Sequence, residues 1–162
     1  MITFFPFHRP SSGSPQFTHV GEDDCRVVLD NLAGGSRTTR GRLIPYCLFT
    51  DPELAHVGMT ESEVRAKDVP YRIARMPMAL VLRTRTLSQT RGFMKALIGA
   101  DDRILGFTAF GAEASESMAV VQTAMLGGMP YTALRDAIFT HPTAAEGLVG
   151  LFANPPSAPA PR

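Results

Sequence analysis

Residues 92–126, GFMKALIGADDRILGFTAFGAEASESMAVVQTAML, decide the fold class. Two apolar segments, residues 92–98 and 104–110, flank an Ala-Asp-Asp-Arg turn, and this pattern predicts an antiparallel β-hairpin. Residues 113–126 then carry apolar side chains at helical spacing and end before a Gly-Gly pair and a proline, which predicts a helix. Strands followed by helices predict an α+β fold in which an antiparallel sheet packs against helices.

Two earlier segments have the composition of strands. Residues 44–50 predict a short buried strand that stops at an Asp-Pro pair, and residues 71–78 predict a second strand. Between them, residues 52–58 begin with proline and end with glycine. We therefore expect a turn there, with His56 on its surface.

Three further helices are expected before residue 140, and two have clear start signals. Thr60-Glu61-Ser62-Glu63 is a capping-box sequence for a short helix that ends near Lys67. Residues 132–139 predict another helix. Thr18 is a suitable N-cap for a third, which ends near Gly34-Gly35, where a positive φ is easily met. The apolar positions of this third helix are Cys25, Val28, Leu29 and Leu32.

Composition divides the chain into four segments. Residues 1–13 and the Pro-rich residues 154–162 have no periodicity and are interpreted as tails. Residues 14–43 hold the first predicted helix and a basic connector, GGSRTTRGR. Residues 44–153 hold the predicted sheet and the remaining helices.

The overall composition limits the kinds of protein that fit. The chain has 162 residues and a net charge of +1, so one domain is expected and nothing favours nucleic acid or an anionic membrane as partner. The apolar runs are too short to span a bilayer, and the start lacks the features of a signal peptide. Cys25 and Cys47 are expected to be buried and reduced. A cytoplasmic location is the default expectation.

The most informative motif for chemistry is His141-Pro142-Thr143-Ala144-Ala145-Glu146. Proline disfavours helix at the preceding histidine, and Thr143 is a good N-cap for the apolar run that follows, so a turn and then a helix are expected. Glu146 can either close a capping box with Thr143 or reach back to the imidazole of His141. Spacing alone favours the cap, whereas an imidazole held by a carboxylate would be an acid/base site.

The string THPTAAEGL, residues 140–148, resembles the C-terminal signature of the flavin-dependent pyridine nucleotide-disulfide oxidoreductases. Residues 44–59, IPYCLFTDPELAHVGM, are similar to the start of the family's interface domain, and residues 111–125 are similar to its long interface helix. Within the family, the sequence is most similar to the mercuric reductase-like branch. The resemblance implies that residues 44–153 form a dimerisation domain and that residues 14–43 are the end of an FAD domain.

The same resemblance implies roles for single residues. His141 would be the general acid/base for a thiol of the partner subunit, and Glu146 would orient the imidazole and stabilise its cationic form. Pro142 would follow a cis bond that holds the histidine carbonyl near the flavin. Thr18 and His19 would place a helix N-terminus at the flavin pyrimidine edge. For His19 an exposed position near a helix start is the simpler interpretation.

The intact family uses FAD and NAD(P), and the motifs that bind them are missing from this sequence. No two glycines are separated by one residue, so G-x-G-x-x-G does not occur, and no Gly-Lys pair exists for a P-loop. The family's redox cysteines lie four residues apart, whereas 21 residues separate Cys25 from Cys47. We therefore expect the last third of such an enzyme, inactive by itself and without a stably bound cofactor.

A homodimer, or a heterodimer with a full-length relative, is the expected assembly. A self-association module without catalysis and a truncated gene product without its own function are the alternatives. Apolar residues beside the interface helix could form the contact, although core packing is expected for half of them. They are Met118, Val121, Met125 and Met129.

Other chemistries have weaker support. A cationic stretch without interleaved aromatic residues fits a solvated sheet face better than a nucleic-acid site. Its members are Arg72, Arg75, Arg83, Arg85, Arg91 and Lys95. A hydrolase using His141 with Ser115 or Ser117 would need a nucleophile elbow, which is missing. No metal site is predicted, because the histidines lack ligand spacing. They are His8, His19, His56 and His141.

Overall fold

The computed structural model describes residues 15–153 and divides them into two units, one ending at Ile44 and one beginning at Pro45. The first unit holds helix α1 (Thr18–Leu32) and the connector after it. The second holds the sheet and five further helices of the described chain. The tails expected at residues 1–13 and 154–162 lie outside the described residues.

Helix α1 differs from the expectation at its start and on its apolar side. Phe17, with an extended backbone, is the N-cap and Thr18 is already helical, so the prediction of Thr18 as N-cap was wrong. Gly34 adopts a φ of +88° at the end of the helix, as its sequence suggested. The apolar positions are exposed within this chain, with Leu32 80% accessible.

Five antiparallel strands form one sheet in the order β1-β2-β5-β4-β3. The predicted hairpin is confirmed, since β4 pairs with β5 across the turn at residues 100–103. The strands are β1 (Tyr46–Leu48), β2 (Glu53–Gly58), β3 (Tyr71–Pro77), β4 (Phe93–Gly99) and β5 (Ile104–Gly111).

Strand β2 lies where a turn was expected. Only the residues around the Asp51-Pro52 pair turn, and the next six residues alternate across the sheet, with Ala55 and Val57 fully buried. The strand expected at residues 44–50 is reduced to the three residues of β1, a partly exposed edge strand. Proline and glycine at the two ends of β2 indicated a turn, although the residues between them are buried as a strand.

Among the remaining helices, α2 and α4 agree best with the sequence prediction. The capping box of α2 is complete, and α4 occupies nearly the predicted range. A 3₁₀ turn (Met78–Leu80) and α3, which fill the β3–β4 connection, were not predicted. Residues 132–139 were expected as a longer helix than the α5 that forms. The helices are α2 (Glu61–Ala66), α3 (Leu82–Thr86), α4 (Ala114–Leu126), α5 (Tyr131–Arg135) and α6 (Gly147–Ala153).

The two faces of the sheet are covered differently. On one face, here called the helix face, α4 packs over β2 and β5 while α6 packs beside β3. Its core includes Phe107, Met94 and Val57, which are almost completely buried. Within residues 45–153, the opposite face is covered at one end only, where Val64 of α2 joins Leu97 in a small apolar cluster. The described elements of this unit leave the other end of that face open.

Candidate functional site

The His141–Glu146 turn is built by Thr143. Its hydroxyl donates to the carbonyl of Thr140 at 2.8 Å and accepts the backbone N–H of Glu146 at 3.2 Å. The His141-Pro142 bond is cis, as the resemblance implied. Helix α6 begins only at Gly147, because residues 144–146 form a tighter turn before it. Thr143 therefore caps this turn, as its sequence position suggested.

The carboxylate of Glu146 lies against the imidazole of His141. Nδ1 of His141 is 2.8 Å from Oε1 and 3.0 Å from Oε2. An ionised carboxylate can only accept, so Nδ1 carries the proton of the neutral ring and Nε2 carries the lone pair. The His141 side chain is 61% accessible and that of Glu146 33%. The structure thus brings the two predicted residues together as an oriented and accessible imidazole.

The turn is anchored to the core from below. Ala144 and Gly147 are buried, and a Cβ at Gly147 would come within 2.8 Å of the Val81 side chain. Because the backbone of Gly147 lies so close to Val81, the chain is fixed in position directly after Glu146. The exposed His141 and the half-buried Glu146 therefore lie next to a packed part of the core.

The positions of the other predicted site residues give no further indication of function. Pro142 is exposed within the turn. Thr18 and His19 are exposed at the start of α1 in the first unit, where the His19 ring stacks on Phe17 at 5.3 Å between centroids. An exposed His19 near a helix start is what its simpler interpretation predicted.

His56 is the histidine that the sequence analysis misplaced. It is 5% accessible on β2, and the expected surface turn does not exist. Its Nε2 donates to the carbonyl of Gly58 at 3.1 Å, so its Nδ1 accepts from the hydroxyl of Thr108 at 2.9 Å. Burial lowers the pKa of His56. The short, mostly apolar run of residues 54–57 was the signal that could have shown its strand position.

The two cysteines are not joined to each other. Cys25 is exposed and Cys47 half-buried, both free, so the expectation that both are buried was wrong. Burial, with a smaller effect of Glu53, raises the pKa of Cys47. A raised pKa leaves less of the nucleophilic thiolate at neutral pH.

The serines weighed as nucleophiles have structural partners. Both the backbone N–H and the hydroxyl of Ser115 donate to Glu53, and the buried Ser117 hydroxyl donates to the Glu113 carbonyl at 3.2 Å. Both hydroxyl protons are therefore used in hydrogen bonds that stabilise α4. Neither serine hydroxyl is hydrogen-bonded to His141 within residues 15–153.

The cationic stretch is largely paired or stacked. Arg72 pairs with Asp102, Lys95 lies 3.2 Å from Glu61, and the Arg75 guanidinium lies 4.9 Å from the centre of the Phe93 ring. Such partners fit the interpretation as a solvated sheet face. Among residues 15–153 there is no cluster of three potential metal ligands and no helix long and apolar enough to cross a membrane.

Side chains considered for a dimer contact divide as expected between core and surface. Met118 and Val121 are buried against the sheet, Met125 is half-buried and Met129 is 47% accessible. Half of the four therefore belong to the core.

The described residues contain no complete dinucleotide-binding unit. Such a unit has a glycine-rich turn between a strand and a helix, where backbone N–H groups face the pyrophosphate. In the first unit, the described residues 15–44 contain helix α1 and no strand. Within residues 45–153, no strand is joined to a helix by a G-x-G-x-x-G turn.

Comparison with known proteins assigns the domain to a family. The pyridine nucleotide-disulphide oxidoreductase dimerisation domain matches residues 44–151. The chain belongs to this family. The dimerisation domain is also similar to that of the probable pyridine nucleotide-disulfide oxidoreductase RclA of Escherichia coli, at 39% identity over 87% of this chain and 33% of the relative.

Further relatives agree with the assignment of this dimerisation domain. Dihydrolipoyl dehydrogenase 2 of Haloarcula marismortui is 33% identical over 85% of the chain and 29% of its own length. The solved structure of the HOCl-induced flavoprotein disulfide reductase RclA of E. coli superposes with a TM-score of 0.83, covering 87% of this chain and 33% of that one. LpdA of Mycobacterium tuberculosis, at 20% identity over 86% of this chain and 31% of its own, shares the fold with a TM-score of 0.79. The chain spans about a third of these relatives, and the mercuric reductase-like branch stays a prediction.

Proposed function

We propose that this dimerisation domain supplies His141 and Glu146 as an acid/base pair to the active site of a partner subunit in an FAD- and NAD(P)-dependent disulfide oxidoreductase. The observation that carries the proposal is the 2.8 Å bond from His141 Nδ1 to Glu146 Oε1 beneath an accessible imidazole. Glu146 turns toward the histidine instead of completing the capping box. A ring oriented in this way presents Nε2 to whatever docks on it.

The chemistry open to Nε2 is proton transfer. It can take a proton from a thiol as that sulfur becomes a nucleophilic thiolate and return the proton to a leaving thiolate. While Nε2 carries the proton, Glu146 faces a cationic ring, and this ion pair stabilises the intermediate state. The reactive thiols, the flavin and the nicotinamide belong to parts of the enzyme outside this domain. By itself the chain is expected to show no oxidation of NADH or NADPH, with or without added FAD.

A domain exchange tests the pair directly. The matching C-terminal third of E. coli RclA is replaced by this chain, and NAD(P)H-dependent disulfide reduction by the chimera is compared with that of its His141→Gln form. General acid/base catalysis contributes about 10²- to 10⁴-fold, so a loss in that range is expected. Glu146→Gln should cost less, since it leaves the imidazole in place with weaker orientation.

Two controls make the exchange decisive. Glu116→Gln changes an exposed carboxylate on α4 and should leave the rate unchanged. An unaltered rate in the His141→Gln chimera, with flavin content equal to the parent, would rule out the acid/base role. Measurable NAD(P)H oxidation by the isolated chain would contradict its inactivity.

Dimerisation without catalysis is the second candidate. The uncovered end of the sheet favours it, because Phe93, Phe110 and Leu54 are only half-buried there. Half-buried aromatic side chains on a sheet are typical of surfaces that meet another protein. Self-association together with a null result for His141→Gln in the chimera would support this candidate.

A further inference from the structure

The segment that joins β3 to β4 contacts the His141 turn through Val81. This residue stands between the 3₁₀ turn and α3 and is 2% accessible. Its Cγ2 and Cγ1 atoms would lie 2.8 and 3.2 Å from a Cβ placed on Gly147, the residue directly after Glu146. Real side chains do not approach each other so closely without a shift. Valine and glycine therefore fit at this contact as a pair.

A buried hydroxyl fixes the backbone at Val81. Thr84 is completely buried, and its Oγ1 lies 2.6 Å from the carbonyl oxygen of Met78 and 2.9 Å from that of Val81. The backbone N–H of Val81 also donates to the carbonyl of Met78, at 2.9 Å. Removal of the hydroxyl would leave buried carbonyl oxygens without this donor. Thr84 thus closes the junction between the 3₁₀ turn and α3 at the residue that contacts Gly147.

The same junction is attached to the rest of the domain. The backbone N–H of Met78 donates to the carbonyl of Gly92 at 3.0 Å, next to the start of β4. Arg83 of α3 lies 3.2 Å from Glu113, the N-cap residue of α4. Densely packed interiors transmit strain. Because the junction is held at both ends, a change of volume at Val81 should displace the His141 turn.

Backbone hydrogen bonds join Gly147 to the carboxylate-bearing residue. The N–H of Gly147 donates to the carbonyl of Ala144, and the N–H of Val149 donates to the carbonyl of Glu146, both at 3.0 Å. The Glu146 carboxylate in turn lies 2.8 Å from Nδ1 of His141. Hydrogen bonds weaken steeply when their angle is distorted. A small displacement of the backbone at Gly147 is therefore enough to loosen the hold on the imidazole.

We propose that Val81, fixed by the hydroxyl of Thr84, is a positioning residue for the His141–Glu146 pair. It acts through the backbone of Gly147, which sets where the Glu146 carboxylate meets Nδ1. The inference rests on the proposed function, because it names the part of the core that holds the same acid/base pair in place. The β3–β4 connection thus has a role in the site, although it lies far from the His-Pro-Thr motif in sequence.

Long-range ¹H–¹⁵N NMR of the full chain measures the orientation of the pair without an enzymatic assay. At about pH 9, where imidazoles are neutral, the ring of His141 should carry its proton mainly on Nδ1. The signals are identified by their loss in His141→Gln. Val81→Ala should lower the ratio of the Nδ1–H to the Nε2–H tautomer at least about threefold, because a hydrogen bond to a carboxylate changes such a ratio by about tenfold or more.

The matched control for this substitution is Val57→Ala. It removes the same two methyl groups from a completely buried valine on β2. Both alanine variants should lower the midpoint of urea unfolding, since both leave a cavity in the core. Only Val81→Ala should change the tautomer ratio, which a purely structural role would leave as in the parent.

An exchange of volume tests the contact itself. Gly147→Ala adds a methyl group against Val81 and should also lower the tautomer ratio. The double variant Val81→Ala with Gly147→Ala removes both overlapping carbons and leaves the Met94 side chain at 3.4 Å, an ordinary contact. We expect it to return the ratio to within about twofold of the parent, a coupling typical of residues in direct contact.

Substitution of Thr84 gives a test that does not change the volume of the core. Thr84→Val removes the hydroxyl and keeps the shape of the side chain, and it should lower the tautomer ratio. Thr84→Ser keeps the hydroxyl and should retain the ratio of the parent. Because the threonine is completely buried, this pair of variants separates the hydrogen bonds from packing.

Three results would overturn the positioning role. They are a parent without an excess of the Nδ1–H tautomer, an unchanged ratio in Val81→Ala and Thr84→Val despite lower urea midpoints, and an equal change in Val57→Ala. In the RclA chimera, Val81→Ala should also lower kcat about tenfold with little change in KM, whereas Val57→Ala should not. The expected loss is smaller than the roughly hundredfold effect of a 1 Å misplacement of a reacting group.

The tautomer ratio and the His141→Gln rate distinguish the two proposals. A lower ratio in Val81→Ala with no rate loss in His141→Gln would reject only the acid/base role. A rate loss in His141→Gln with an unchanged ratio in Val81→Ala and Thr84→Val would reject only the positioning role.

Discussion

Glu53 caps helix α4 through Ser115, which lies sixty-two residues after it in the sequence. Its Oε2 accepts both the backbone N–H of Ser115, at 3.0 Å, and the Ser115 hydroxyl, at 2.8 Å. The N-cap residue of α4, Glu113, has a φ of +55° and makes no side-chain cap bond of its own. The first residue of β2 thus satisfies the start of α4, which the local sequence leaves without a side-chain cap.

Removal of this cap should destabilise the domain. Substitution of a capping side chain costs about 1 kcal/mol, with a range of roughly 0.5 to 2 kcal/mol, and we expect Glu53→Ala to fall in the upper half because a carboxylate also favours the helix dipole. Glu53→Gln keeps an acceptor and should cost less. Urea unfolding measures this loss, and an unchanged midpoint in Glu53→Ala would contradict the cap. A double-mutant cycle against Ser115→Ala isolates the hydroxyl bond, because alanine keeps the backbone N–H donor.

Thr143 should position Glu146 through its hydroxyl. Thr143→Val removes both the bond to Thr140 and the acceptor for the Glu146 N–H, each of which contributes about 1 kcal/mol. We expect a lower urea midpoint and, in the RclA chimera, a rate loss smaller than that of His141→Gln. Thr143→Ser keeps the hydroxyl and should restore both properties. If the valine form shows a stability loss without any rate loss, Thr143 acts on folding alone.

His56 should make the folded domain sensitive to acid. Burial lowers its pKa in the folded state below the value of about 6.5 that an unfolded chain shows. The unfolded chain therefore binds more protons as the pH falls from about 7 to 5, and the free energy of unfolding decreases through that window. His56→Gln should flatten this dependence, while the exposed His19→Gln should not. Parallel pH profiles for the parent and His56→Gln would show that His56 contributes nothing.

Gly92 should not tolerate a side chain. Its φ is +113°, and a Cβ there would lie 1.7 Å from the carbonyl oxygen of Phe110. Because backbone on the neighbouring strand cannot move aside without breaking the β4–β5 ladder, Gly92→Ala should cost more than about 3 kcal/mol or prevent folding. Gly127→Ala meets only ordinary contacts of 3.5 Å and should stay folded. Circular dichroism and urea unfolding of both variants make the comparison.

Local signals explain which parts of the fold were predictable. The capping box of α2, the β4–β5 turn and the apolar spacing of α4 are each encoded within a few residues, and all three form as predicted. Strand β2 was missed because proline and glycine at its ends indicate a turn, whereas its burial depends on pairing with β5, about fifty residues later.

The residues of the site were predictable from the sequence, whereas their geometry was not. The spacing from Thr143 to Glu146 fits both a capping box and a carboxylate turned toward His141. In α2 the same spacing gives the complete box, because Glu63 returns to the N–H of Thr60. At the His141 turn the imidazole competes for the carboxylate, and the helix begins later. His141, five residues before Glu146, therefore decides where the carboxylate binds. A helix-start pattern covers only the residues from Thr143 to Glu146 and does not include this histidine.

The strand order has a consequence for synthesis. Strands β2 and β3 follow each other in sequence, yet the β4–β5 hairpin lies between them in the sheet. A nascent chain that has reached only residue 90 therefore holds two separated edges with no central strands to join them. Completion requires insertion of a hairpin between pieces already made, a non-local step that is slow and leaves unpaired strands exposed. We expect this interval on the ribosome to be when the protein depends most on chaperones.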